Sequence, residues 1–270
     1  MGQSQFFSQR GTEGNNSGEA HRLDAEKYGN RRRAAWRDLA ARFCDPRECL
    51  ASYLALESAE VIAGVKPANL ISISNQAYPC GRNPYQLWKR WGHEIVEATS
   101  LDVHVLTDRG NSVLILLYQP EALHALLGTS AVRAILRRAG YTEDMNLHTL
   151  LGRLSNRISS GTFPHEIGIF LGYPLKDVVG FMGLARIPFT CQGPWKIYGN
   201  PDASLKLAET FRWCRNRMAD GLINCTSPFE CFGYCEAEGA FFCQTVDNDC
   251  QLHHAVGARL FSGTRQPAGI

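Results

Sequence analysis

The stretch from Leu101 to Gln119 limits what this chain can fold into more than any other. Leu101–Thr107 and Ser112–Gln119 both carry the β-branched and aliphatic residues of strands. Between them, Asp108-Arg109-Gly110-Asn111 has the chemistry of a hairpin turn. From Val113 to Tyr118 every residue is apolar, without the alternation of a strand that has one wet face. Such a strand belongs in the middle of a sheet and needs cover on both sides.

Helices are available to give that cover. Trp36, Leu39 and Phe43 share one face of a helix expected from about Arg33 to Phe43. Asp45-Pro46, a cap with proline at the first helical position, starts a second helix. It is expected to run to about Ala63, with Leu50, Tyr53, Leu54 and Val61 on one side, and to stop at Gly64. Lys66-Pro67 then breaks the chain, and Asn69–Ser74 reads as a buried strand. Pro84–Ala98 is helical, carrying Leu87, Trp88, Trp91 and Ile95. Pro120 opens a short helix that Gly128 closes, and Ser130 caps another that ends at Gly140. Leu147, Leu150, Leu151, Leu154 and Ile158 form a regular helical stripe. Trp195–Tyr198 is a short strand, and Ala203–Met218 is a helix with Leu207, Phe211, Cys214 and Met218 inward. The class is therefore α+β, or a three-layer α/β arrangement: a small mixed sheet that includes an antiparallel hairpin, packed with several helices.

Composition narrows the setting. At 44% hydrophobic and 20% charged, 270 residues are enough to bury a substantial core. The balance of 28 basic against 26 acidic residues gives no reason to expect nucleic acid or a membrane surface as partner. The apolar run Val113–Tyr118 is far too short to span a bilayer. Residues 1–30 are polar and lack a signal-peptide apolar region, which points to the cytoplasm. That opening, Met1 to Asn30, reads as a disordered arm, 31–220 as one globular domain, and 221–270 as a cysteine-rich extension.

Four pieces of the chain resemble one family of proteins from anaerobic bacteria that is known only as a domain of unknown function. They are AGVKPANLISI (Ala63–Ile73), VLILLYQPEALHALL (Val113–Leu127), FPHEIGIFLGYPLKDVVGFM (Phe163–Met182) and GPWKIYG (Gly193–Gly199). Their order and spacing match as well, which implies membership from about Ala51 to about Met218. The resemblance brings no activity and no catalytic residue with it. The N-terminal arm and the cysteine-rich segment after Cys225 fall outside the pattern.

The third piece is the most specific, since His-Glu-Ile-Gly and Leu-Gly-Tyr-Pro in that register are unusual. Glu166–Met182 scans as a helix-turn-helix with Gly172 at its corner. Its second helix offers only Lys176, beside Asp177, ahead of Val178, Val179, Gly180, Phe181 and Met182. A DNA reader needs polar and basic side chains there, so a packed helical corner is the stronger reading. His165 and Glu166 are the sharpest polar pair: His165 is a candidate metal or haem ligand or base, with Glu166 to orient it. The bland alternative makes Glu166 a first-turn acid and His165 a packing residue. HEIG lacks the second histidine of a zinc-protease motif, as does His93-Glu94-Ile95.

Cysteines supply two further candidates. Cys80, in YPCGRNP, lies ahead of a helix and beside Arg82, both of which favour a thiolate. A thiol enzyme could pair it with His93 or His165. Cys225, Cys231, Cys235, Cys243 and Cys250 crowd the end of the chain among acidic residues. Only Cys231 and Cys235 have the close spacing of zinc ligands, so reduced or partly oxidised structural cysteines are the plainer reading. No P-loop, dinucleotide or nucleophile-elbow motif occurs. The leading functional expectation is a metal or redox cofactor (iron, zinc or haem) near His165 and Glu166. The alternatives are a non-catalytic structural or interaction module, and a thiol enzyme at Cys80.

Overall fold

The computed structural model describes residues 35–78, 80–141, 145–161 and 163–232. Its main sheet has three strands: β1 (Ala68–Ser74), β2 (Asp102–Asp108) and β3 (Ser112–Tyr118). The apolar β3 is the central one, antiparallel to both neighbours, with Ile115 opposite Ile71 on one side and Val105 on the other. The Asp108–Asn111 turn closes as its chemistry requires. Arg109 N–H donates to the Ser112 carbonyl at 2.9 Å, and Asp108 Oδ1 accepts from Gly110 N–H at 2.9 Å.

Because β3 is apolar on both faces, its alternate residues enter two separate cores. Val113, Ile115 and Leu117, with Ile71 and Ile73, face α1 (Pro46–Glu57), α2 (Ala59–Ile62) and α3 (Pro84–Glu97). Leu114, Leu116 and Tyr118, with Ala68 and Leu70, face the opposite layer. That layer is built from α4 (Pro120–Gly128), α5 (Ser130–Arg138), α6 (Leu147–Ser159), α7 (Ile167–Phe170) and α8 (Leu175–Phe181). A second antiparallel hairpin follows, β4 (Phe189–Gln192) with β5 (Lys196–Tyr198). Cys191, Trp195 and Ile197 from that hairpin share a third core with Ala208 and Phe211 of the long helix α9 (Asp202–Asn224). The α+β class is as expected, and every strand pair among the described residues is antiparallel rather than mixed.

Local readings of the sequence depart from the structure in four places. The helix expected over Arg33–Phe43 is two short 3-10 turns, Trp36–Asp38 and Ala40–Arg42, without a side-chain cap on either. Burial of Trp36, whose Nε1–H donates to Ser52 Oγ at 3.0 Å, holds them. The helix expected over Pro46–Ala63 divides at Ser58, whose hydroxyl bonds back to the Leu54 carbonyl and competes with the helix ladder. Strand β4 is additional, and α9 continues past Met218 to Asn224, burying Leu222. The Met1–Asn30 arm and Cys235, Cys243 and Cys250 lie outside the described residues. No helix among the described residues is long and apolar enough to cross a membrane.

Candidate functional site

The Phe163–Met182 stretch folds as two short helices joined by a tight corner. Tyr173 N–H reaches the Gly168 carbonyl at 2.9 Å and Gly172 N–H reaches that of Ile169 at 2.9 Å, which is a Schellman closure of α7. Gly172 supplies the left-handed residue, at φ 70°. Space requires glycine there too, because a Cβ would fall 2.5 Å from Pro67 Cδ. Pro174 then stops one helix and leads into the next at φ −53°.

The four segments named above converge at this corner. Pro67 packs on Gly172, and its carbonyl accepts from Gln119 N–H at 3.0 Å. Tyr173 stacks on Trp195 at 4.5 Å, with ring planes 19° apart. Gly180 lies so close to Tyr198 that a Cβ would meet its ring at 2.6 Å.

His165 and Glu166 are adjacent in sequence but part company in space. Glu166 is 1% exposed. Its Oε1 pairs with Arg157 Nε at 2.7 Å and accepts from the Tyr141 hydroxyl at 3.1 Å. Arg157 also donates to the Ala139 carbonyl at 3.0 Å and lies over the Tyr141 ring. The group thus ties α7 to α6 and to the end of α5. Burial, and then the Glu166 charge, push the Tyr141 hydroxyl far above its ordinary pKa, so it stays a donor. His165 is exposed, with its ring edge-on to Phe181 at 4.8 Å. Glu166 does not orient it.

The most heavily coordinated group in the stretch is Asp177, 2% exposed. Its Oδ1 accepts from Lys176 Nζ at 2.7 Å and Tyr198 N–H at 2.9 Å. Its Oδ2 accepts from Trp195 Nε1–H at 2.9 Å and Ser204 Oγ–H at 2.6 Å. Burial works to raise its pKa, but these donors outweigh burial and hold the carboxyl below its ordinary value. One residue therefore joins α8, β5 and the start of α9.

Lys66 forms a second buried centre. At 5% exposed, it hydrogen-bonds Asn69 Oδ1, and its ammonium lies 5.4 Å from the Tyr173 ring centroid and 5.1 Å from that of Phe211. Asn69 in turn donates to Glu60 Oε2 at 2.7 Å. Two aromatic faces and an amide linked to a carboxylate are what a buried ammonium needs in place of water.

The cysteine candidates separate in the same way. Cys80 is exposed and lies near Cys49 and Tyr78, while the ring contacts of His93 and His165 are with Trp88 and Phe181. Arg82, expected to favour the Cys80 thiolate, donates to the Cys44 carbonyl. Cys225 and Cys231, by contrast, lie together at the end of α9, each close enough to shift the ionisation of the other, and Cys225 Sγ–H donates to the Leu222 carbonyl at 3.6 Å. Among the described residues no group of three or more His, Cys, Asp or Glu side chains is placed to hold a metal.

Asp177, Lys66, Tyr141 and Arg157 were not singled out by sequence reasoning. For Asp177 a signal was present: an acid next to Val178 in a helix otherwise short of charge is placed to be buried and must then be paired. For Arg157 and Tyr141 no local signal existed.

A family model described as a protein of unknown function (DUF3793) matches residues 54–231. The match continues beyond Met218 and takes in both Cys225 and Cys231. No curated protein and no solved structure matches the chain.

Proposed function

The chain belongs to DUF3793, and from that premise we propose that it works as a non-catalytic structural or interaction module whose Phe163–Met182 corner is the keystone of a rigid frame. The observation that carries this reading is that the corner's two carboxylates are buried and paired with groups of the molecule itself. A general acid or base must exchange its proton during turnover. Glu166 is instead fixed by Arg157 and Tyr141, and Asp177 by four donors. Groups so bound contribute rigidity and specify one packing. On the surface, Trp213 is 40% exposed with the Arg217 guanidinium 5.8 Å from its ring. Tryptophan and arginine are the residues that protein interfaces favour.

A metal or redox cofactor at His165 is the reading to test against this one. It would leave His165 without the carboxylate that usually orients a ligating imidazole. Protein purified without air, then examined by metal analysis and absorbance, separates the two. The expected result is no stoichiometric iron, zinc or haem that depends on His165, with His165→Ala melting within about 0.5 kcal/mol of wild type, as for an exposed side chain. One equivalent of metal or haem, lost in a folded His165→Ala variant, would overturn the proposal.

A further inference from the structure

The end of α9 holds chemistry that the keystone reading does not use. Cys225 is the C-cap of the helix, where the chain turns extended at φ −73° and ψ 155°. Ser227 then opens the 3-10 turn Pro228–Cys231 through a reciprocal capping box with Glu230, with Pro228 at the first position. This turn carries Cys231 back over the helix end, its Sγ 4.0 Å from where a Cβ on Gly221 would stand. At that same helix end Cys225 Sγ–H donates to the Leu222 carbonyl at 3.6 Å, and each thiol lies close enough to shift the ionisation of the other. The loop is fixed from outside as well. Arg42 Nη2–H donates to the Cys225 carbonyl at 3.0 Å, and Ser227 Oγ–H donates to Glu48 Oε1 at 3.0 Å. Phe232, just beyond, is buried in the core against α1. Both thiols are free and half-buried.

We propose that Cys225 and Cys231 are a dithiol modification site, which takes a small-molecule disulfide and closes into an internal disulfide that latches the end of α9. The Cys225 thiolate attacks one sulfur of the reagent RSSR, forming a Cys225–S–S–R mixed disulfide and releasing RS⁻, which takes up the proton that Cys225 gave. Cys231 then loses its proton, attacks the Cys225 sulfur and expels the second RS⁻. The two protein thiols are oxidised, the reagent is reduced by two electrons to two RSH, and protons balance. The second step is intramolecular between thiols held at one helix end, so it outruns release of the mixed disulfide.

Thiol ionisation supports this outcome. Burial raises the Cys225 thiol above its ordinary value and pushes that of Cys231 up to about 12. A thiolate that the site disfavours stabilises the disulfide relative to the reduced pair. The same burial makes the first attack slow at neutral pH and faster as pH rises. A metal is less well served, since the dithiol offers two of the four ligands that a structural zinc requires.

The test treats reduced full-length protein with oxidised glutathione at pH 8 and maps the products by mass spectrometry after cleavage at Glu230, which separates the two cysteines. The expected product has lost two hydrogens, with the Cys225 and Cys231 peptides still joined. Its melting temperature should rise by about 5 °C over the reduced form, as a short closed loop predicts. Cys231→Ser should stop at the glutathione adduct on Cys225 and show no such rise. The proposal is overturned if either cysteine joins a different partner. It is equally overturned if both stay free while exposed Cys44 and Cys80 are modified, or if the purified protein holds a zinc ion that Cys231→Ser removes.

Discussion

Asp177 and Glu166 are both buried carboxylates of one short stretch, yet they are held in different ways. Asp177 gathers four donors, from its own helix, from β5 and from α9, and all but the Lys176 ammonium are neutral. Glu166 depends on one cation, Arg157, whose side chain is 36% exposed, and on one hydroxyl. The first arrangement resembles a designed anion site filled by the protein's own side chain. The second is an ion pair at the edge of water. A carboxylate satisfied by several fixed dipoles is replaced with difficulty, because removing it strands every donor. A carboxylate paired to a partly exposed arginine strands a buried Nε, but the rest of the guanidinium keeps some access to water.

The largest test of that contrast is Asp177→Ala. It orphans the buried Trp195 and Ser204 donors and should cost about 3–5 kcal/mol in denaturant unfolding. A cost below that of Glu166→Gln would reverse the comparison. Glu166→Gln should be next, at about 1–3 kcal/mol, because solvent access to Arg157 softens the loss. Coupling should appear in a double-mutant cycle with Tyr141→Phe, since both groups share Oε1. The third test uses acid. The Asp177 carboxyl titrates below its ordinary value when folded. Its stabilisation is therefore complete above the ordinary carboxylate range and is lost as pH falls through the folded value. Asp177→Asn should flatten that acid limb in urea titrations; an unchanged limb would remove Asp177 from the account. The smallest effect belongs to His165→Ala, the exposed neighbour, which should leave both anchors intact.

Much of the frame could be read directly. The hairpin, the central place of β3 and most helices follow from apolar periodicity, caps and turn residues, all of which act within a few positions along the chain. The corner at Gly172 and Pro174 was legible for the same reason. The errors fell where tertiary contact overrode local preference, as at Ser58 and around the buried Trp36. Within Phe163–Met182, His165 and Glu166 look like partners in sequence, but Glu166 is buried against Arg157 and Tyr141 while His165 is exposed against Phe181.

What the sequence determined by itself was the class of fold and the family to which the resemblance pointed. What only the tertiary structure decided was who pairs with whom. Arg157 meets Glu166, Trp195 and Ser204 meet Asp177, Lys66 meets Tyr173 and Phe211, and Arg215 reaches Glu57 from 158 residues away. Periodicity and turn chemistry are short-range and leave a trace in neighbouring residues. A buried charge finds its partner through the packing of whole elements, and that leaves no mark on the residues beside it.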